Sequence, residues 1–577
     1  HESGTKICLQ LLHAGRYAYH PFCVAPSAIR SPISPFRPGA MSKRQIRHTI
    51  RAFARSAVLA RRAGYDGVEV MGSEGYLINQ FACRHTNQRS DEWGGELRNR
   101  IRFSVEIIRA IRRQVGPDWI IVYRLSMLDL LQDGNSWAEV VAHARAIEAA
   151  GATLINTGIG WHEVRIPTIA SVVPTAAFSW VTKKLKSEIR IPLITSNRIN
   201  RPDIAESCLR DGAADMVSMA RPFLADAAFV KKTRQGRVAE INTCIACNQG
   251  CLDHVFNRQR ASCLVNPRAC YETEFPQARV NNAKTIIVVG LGVAGLACAA
   301  TAAQRGHKVI VYDRGEAGGQ FNLAASIPGK EDYRYTVAYF LQQLRLHDAE
   351  LHLNTEVSVE TLRDCFCDAM VIATGVKPRQ PSIEGIGHFS VVTYEEAIRH
   401  TEKLGSKVAI IGAGGIGFDV AEKLAGGEET LADWCRHWGI DCEYRSPGGL
   451  LASPAEMTPG REIYLLQRKN EKPGRTLGKT TGWIHRLSLK KAGVKMYAGV
   501  QYKKIDDFGL HLVHQGEDRV IAVDSVVICA GQEPENALYE PLKSMGQPVH
   551  LIGGALDAGE LNAERAIRQG MELAMRF

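Results

Sequence analysis

Short apolar runs alternate with segments of helical period over roughly the first 225 residues. KICLQLLH (6–13), GVEVMG (67–72), IIVYRLS (120–126), ATLINTGIG (152–160), IPLITSN (191–197) and DMVSMAR (215–221) read as strands. Between them lie stretches such as QIRHTIRAFARSAVLARRAGY (45–65) and RFSVEIIRAIRRQVG (102–116), whose apolar positions recur every three to four residues. Repeated strand-then-helix units at this spacing predict a parallel α/β barrel or open sheet. The pattern holds six such units, so an eightfold TIM barrel would lack its first two βα units. The expected fold class is therefore α/β, with an incomplete barrel over 1–235.

Periodicity stops at 236–280, where Cys, Asn and Pro punctuate the chain as in a segment organised around a ligand. It resumes in KTIIVVGLGVAGLACAATAAQRGHKVIVYD (284–313), a strand, glycine turn, helix and strand. KVAIIGAGGIGFDVAEKLAG (407–426) repeats the device. The second unit nests inside the first, which predicts Rossmann-like domains at 281–400 and 401–525 with a return segment at 526–577. The stretch 427–460 has no function legible in its residues.

Gly290, Gly292 and Gly295 form G-x-G-x-x-G between strand and helix, the arrangement that brings a pyrophosphate to a helix N-terminus. Asp313 ends the next strand, where an acid bonds ribose hydroxyls, and GGQFN follows with Gln320. With VIATG (371–375) these features resemble two-dinucleotide flavoproteins, a likeness that implies FAD here. Gly412, Gly414 and Gly417 repeat the fingerprint, but the following strand ends in Gln467, Arg468 and Lys469 with no acid. A cationic ending suits the extra phosphate of NADPH.

The segment TCIACNQGCLDHVFNRQRASC (243–263) places Cys244, Cys247, Cys251 and Cys263 at C-x2-C-x3-C-x11-C. Three thiolates in one tight loop with a distant fourth favour a [4Fe–4S] cluster over zinc, which more often takes two separated knuckles. Cys270 stands outside the pattern and is expected to be core.

The 15 cysteines are odd in number and scattered, which argues against a disulfide framework and for a reducing cytoplasm. A net charge of +11 arises without Lys/Arg runs interleaved with aromatics, so phosphorylated cofactors and substrates are the expected partners rather than nucleic acid. No apolar run approaches the ~20 residues that span a bilayer, so membrane insertion is not expected. No signal or transit pattern is visible at HESGTKICLQLLHAGR. The chain is expected to act as a monomer.

The C-terminal ends of the six strands, where barrel active sites gather, present Gln10, Tyr76, Arg124, His162, Arg198 and Arg221. With GSEGYLINQF, RHTNQRSDEWGG, NTGIGWHEVRIPT, SNRIN and SMARPFLAD, followed by the cysteine motif and two Rossmann units, the chain resembles the 2,4-dienoyl-CoA reductase branch of the Old Yellow Enzyme-like NADH:flavin oxidoreductases, relatives also of trimethylamine dehydrogenase. The likeness runs along essentially all 577 residues, from what would be the third barrel strand.

The resemblance implies FMN in the barrel, with Gln10 facing the flavin, Arg124 near its N1 edge, and Arg198, Ala220 and Arg221 at its phosphate. It implies Tyr76 as proton donor, with His162 tuning it. It also implies an acyl-CoA thioester bordered by Thr86, Asn87, Gln88 and Arg89 and by Glu163, Val164 and Arg165. Simple ene-reductases grip an enone with His or Asn five and two residues before the tyrosine, whereas this chain has Met71 and Glu74. The implied activity is NADPH-dependent reduction of 2,4-dienoyl-CoA to enoyl-CoA in unsaturated fatty acid β-oxidation, electrons passing from NADPH through FAD and the cluster to FMN. A 2-enoate reductase, an amine dehydrogenase of the same architecture, and a non-catalytic flavin and iron–sulfur electron carrier remain alternatives.

Overall fold

A computed structural model describes residues 1–577 apart from Glu428, Thr458, Pro459, Glu560 and Leu561. The chain forms two compact units: 1–169, 173–219 and 430–455 in the first, and 170–172, 220–429 and 456–577 in the second.

The first unit holds a parallel sheet of six strands in sequence order: β1 (Cys8–Leu11), β2 (Gly67–Gly72), β3 (Ile120–Leu128), β4 (Leu154–Ile159), β5 (Leu193–Thr195) and β6 (Met216–Val217). All six predicted strands are present. β1 and β6 are the two edges of an open sheet. β3 is mostly apolar and buried, and β2 and β4 pair along its two edges, as in the interior of a parallel sheet. Helix α1 (Lys43–Arg62) starts at a capping box in which Ser42 and Gln45 satisfy each other's backbone N–H groups, and it buries Ile46, Phe53, Ala57 and Ala60. Because all strands run the same way, the loops after β1, β2 and β4 emerge at one end of the sheet.

The inserted stretch belongs to this unit rather than to the nucleotide fold whose sequence contains it. Its helix Leu431–Trp438 begins at a Thr430–Asp433 capping box, and Gly439 ends it in the left-handed conformation. Trp434 meets the edge of Phe178 with ring centroids 6.0 Å apart. Tyr444 packs on Trp137 and donates to the Asn135 carbonyl at 3.1 Å, while the Leu130 N–H donates to the Gly448 carbonyl at 2.9 Å. These contacts bind 430–455 into the sheet unit as an arm.

In the second unit, strands Glu350–His352, Lys308–Tyr312, Thr285–Val289, Ala369–Ile372 and Val549–Leu551 form one parallel sheet in that spatial order. Val391–Thr393, Ser525–Ile528, Lys407–Ile411, Glu462–Leu466 and Lys495–Tyr497 form the other. Val391–Thr393 and most of Ser525–Ile528 thus join the second sheet although they lie outside the 401–525 expected for it. Among the described residues no helix is long and apolar enough to cross a membrane.

Candidate active site and cofactor cradles

Four residues beyond β2 the chain reaches Tyr76, which precedes the short buried helix α2 (Leu77–Ala82). Three residues beyond β4 it reaches His162. The Tyr76 hydroxyl and His162 Nε2 share a hydrogen bond at 2.9 Å. Loss of hydration, followed by the nearby Glu74, pushes the Tyr76 pKa above 10.0. Loss of hydration, followed by Arg124, pulls the His162 pKa below 6.5. At neutral pH the pair is therefore a protonated phenol against a neutral imidazole, an arrangement suited to proton donation.

Glu74 adopts a left-handed φ of 51°, uncommon outside glycine and typical of functional sites. Its carboxylate accepts from Ser73 and from Arg124, whose guanidinium lies 2.9 Å away. Burial raises the Glu74 pKa despite that cation. Arg124, expected at the flavin edge, thus has a resident carboxylate partner beside Tyr76.

The His162 loop is anchored from beneath. Arg16, 1% exposed, donates to Glu163 at 2.5 Å, and Tyr17 and Ser31 donate to the second Glu163 oxygen at 2.9 and 3.1 Å. The Tyr17 ring stands edge-on to Tyr76 and His162, with centroids 6.1 and 5.9 Å apart. Glu163 is thereby corrected from a substrate contact to a buried anchor. Thr86 and Asn87 are likewise turned inward, donating to the carbonyls of Gln80, Phe81 and Trp93. Arg89 is held by Asp91 and by the carbonyls of Pro26 and Met41. Of the expected thioester border, Gln88 and Arg165 remain exposed and Val164 partly so.

Gln10 is exposed on β1 and donates to Glu69 at 2.6 Å; Asn156 on β4 donates to the other Glu69 oxygen at 2.6 Å. Glu69 and Asn156 escaped the sequence reading. A carboxylate within the apolar run GVEVMG was the available signal, because charged residues enter buried strands only with partners. Asp129, fully buried, accepts from Ser126 and the Trp161 indole at 2.7 and 2.8 Å, and from the Asn135 backbone at 2.8 Å. It thereby joins the loop beneath the arm to the residue before His162. Arg198, buried and at a left-handed φ of 56°, donates to the Val173 carbonyl at 2.7 Å.

Both glycine fingerprints have the form that a pyrophosphate needs. A Cβ on Gly290 would lie 2.5 Å from the Ala373 carbonyl and one on Gly295 1.9 Å from the Gly290 carbonyl, whereas one on Gly292 meets nothing within 4 Å. Gly412 and Gly417 are closed in the same way, at 2.3 and 1.8 Å, and Gly414 is open. The outer glycines thus permit the turn and the helix packing, and the middle one leaves room for a ligand against the backbone. The Asp313 oxygens accept from the Leu291 and Gly315 N–H groups at 2.6 and 2.8 Å and hold the turn. Gln320 donates to Tyr394 and Glu395 at 2.9 and 3.0 Å. Arg468 and Lys469 are exposed at the end of their strand, Lys469 lying 4.0 Å from Glu471.

Cys244, Cys247, Cys251 and Cys263 line one small apolar cavity of about 10 Å3, together with Arg221 and Asn248. Ala246 and Asn248 take left-handed φ of 54° and 63°, which curls the loop around it. Burial pushes the Cys247 pKa up to about 12 and raises those of Cys251 and Cys263. The donor set fits an iron–sulfur cluster, but among the described residues no three His, Cys, Asp or Glu side chains already stand at metal-ligating positions. Arg221, expected at the flavin phosphate beside Ala220, belongs with Ala220 to the second unit and donates to Asn248 at 2.6 Å beside these thiols. Cys270, expected in the core, is exposed.

Residues 1–240 match the NADH:flavin oxidoreductase / NADH oxidase family, and residues 284–556 match the pyridine nucleotide-disulphide oxidoreductases. The chain is 33% identical to a metal reductase of Desulforamulus reducens over 100% of its own length and 86% of the relative's. It is 29% identical to a cinnamate reductase of Clostridium sporogenes, over 96% of this chain and 82% of that one. The solved complex of 2-naphthoyl-CoA reductase with 2-naphthoyl-CoA superposes with a TM-score of 0.88 at 31% identity, covering 98% of this chain and 84% of the other.

Proposed function

Because the chain belongs to the NADH:flavin oxidoreductase / NADH oxidase family and continues into a pyridine nucleotide-disulphide oxidoreductase fold, we propose that it is an NADPH-dependent reductase of carbon–carbon double bonds conjugated to a thioester, of the 2,4-dienoyl-CoA class. The observation that carries this reading is the Tyr76–His162 hydrogen bond of 2.9 Å at the ends of parallel strands. The similarity to proteins named for 2-naphthoyl-CoA and for cinnamate supports it, since both compounds place a double bond beside a carboxyl carbon.

When bound, FMN would supply hydride to the substrate, FAD would take electrons from NADPH, and a [4Fe–4S] cluster on Cys244, Cys247, Cys251 and Cys263 would carry them singly between the flavins. The protein's own part is the other half of the reduction. Hydride addition to a conjugated thioester leaves an enolate that needs a hydrogen bond at oxygen and a proton at carbon. Tyr76 Oη donates that proton, His162 Nε2, already bonded to it, steadies the phenol and then the phenolate, and solvent returns the proton to Tyr76 afterwards. Arg124 pairs with Glu74 beside the phenol and partly offsets the carboxylate charge that raises the Tyr76 pKa. The Arg16–Glu163 anchor keeps His162 within reach of Tyr76.

The deciding test is anaerobic: the complete protein, loaded with FMN, FAD, iron and sulfide, is mixed with NADPH and a short 2,4-dienoyl-CoA. One NADPH should be consumed for each double bond lost. NADPH oxidation that leaves the thioester intact would defeat the proposal. For the nicotinamide site, Arg468→Ala combined with Lys469→Ala should raise KM for NADPH by about tenfold or more, the loss of charge-assisted phosphate contacts, and should move KM for NADH little. Equal shifts for both nucleotides would remove the phosphate-binding role.

A further inference from the structure

We propose that a groove on the first unit, between Val24, Met41 and the exposed face of α1, binds the adenosine phosphate end of a coenzyme A thioester. The groove is lined by Arg44, Gln45, His48, Thr49 and Arg51, and its volume of about 290 Å3 sits at the lower end of small-ligand sites, roughly 300–1,000 Å3. A nucleotide head, rather than a whole coenzyme, suits that size.

Arg44, His48 and Arg51 fall at i, i+4 and i+7, so one stripe of α1 aims two guanidiniums and an imidazole into the groove. The helix carries seven Lys and Arg residues and no Asp or Glu along its 20 residues. A merely solvated helix face more often alternates charge signs. Glu92 answers Lys43 at 2.5 Å and Arg47 at 3.8 Å, and among the described residues Arg44, His48 and Arg51 have no ion-pair partner. Gln45 spends its amide oxygen on the Ser42 N–H, which leaves its NH2 for a ligand. The lining therefore offers donors with almost no acceptors, the pattern that selects phosphate oxygens, and guanidinium groups bind phosphate in bidentate fashion. Val24 and Met41 add an apolar edge against which a purine can lie.

Position agrees with chemistry. The chain leaves the C-terminal end of β1, passes Tyr17 and enters α1 at Lys43. The start of α1, which lines the groove, thus belongs to the connection that leaves the same end of the sheet as the loops that carry Tyr76 and His162. Arg89 fixes its rim by donating to the Met41 carbonyl at 2.6 Å.

The inference rests on the thioester reading above, and two measurements separate their fates. In the first, the complete protein is saturated with NADP+ and titrated calorimetrically with 3′-phosphoadenosine 5′-diphosphate. The wild type should bind, Arg44→Glu with Arg51→Glu should bind at least about tenfold more weakly, and Arg44→Lys with Arg51→Lys should retain most of the affinity. Equal binding by all three overturns the groove, whether or not any thioester is reduced. In the second, kcat/KM is compared for one acyl group carried on coenzyme A and on N-acetylcysteamine. The double Glu variant should lose about tenfold of the preference for coenzyme A. A parallel fall for both carriers overturns the proposal. Weakened titration with an unchanged preference gives the groove to a free adenosine nucleotide and overturns it equally. If the wild type reduces neither thioester, the function reading falls while the titration still decides the groove.

Discussion

Tyr76→Phe should lower kcat for thioester reduction by about 10^2 to 10^4, the usual yield of a positioned general acid. The substitution removes only the oxygen bonded to His162 Nε2, and the ring keeps its edge contacts with Tyr17 and His162. Flavin reduction by NADPH, which asks nothing of Tyr76, should proceed at the wild-type rate in stopped flow, while reoxidation by the thioester slows. The pH profile gives a second check, and its sign follows from the shifts. The active phenol is the protonated form and its pKa is raised above 10.0, so activity is lost only as pH climbs past that value. The His162 pKa is lowered from 6.5, so its ring stays neutral down through 6.5 and the acid limb appears below it. The rate should therefore be flat between these limits. A Phe variant within about threefold of the wild type would show that the proton comes from elsewhere.

Glu163→Ala should be the most destabilising single substitution near the site, at about 3–5 kcal/mol, because it strands a buried guanidinium. Arg16 is 1% exposed, and its remaining side-chain bond is a 3.4 Å contact with the Arg30 carbonyl. Tyr17 and Ser31 lose their shared acceptor at the same time. The urea midpoint of the first unit should fall accordingly, and Glu163→Gln, which keeps an acceptor, should fall less. An unchanged midpoint for the Ala variant would mean that water reaches Arg16 freely.

Much of the architecture was open to reading because it rests on local chemistry. Six strands follow from alternation alone, and both nucleotide folds follow from glycines whose outer members cannot carry a Cβ. The four spaced cysteines do line one cavity. What escaped depends on direction, which composition does not encode. Thr86, Asn87 and Glu163 sit in a polar motif that looks ligand-facing, yet their side chains satisfy buried backbone and a buried arginine. Arg221 follows the last strand as a phosphate ligand would, but turns to Asn248 beside the thiols. The role of residues 430–455 escaped because their aromatic side chains meet tertiary partners distant in sequence, Phe178 and Trp137, which no local pattern names.

The arm also sets the order in which the protein can be finished during synthesis. Domains emerging from the ribosome ordinarily fold in turn, the N-terminal one first. Here the loop at Leu130 and the aromatic faces of Trp137 and Phe178 wait for partners that are translated only after the first nucleotide fingerprint and the start of the second. A nascent sheet unit therefore stays incomplete, with apolar surface bare, until Gly448 has left the exit tunnel. A gene cut after residue 235 would give an N-terminal half that needs the 430–455 peptide supplied in trans to close that surface.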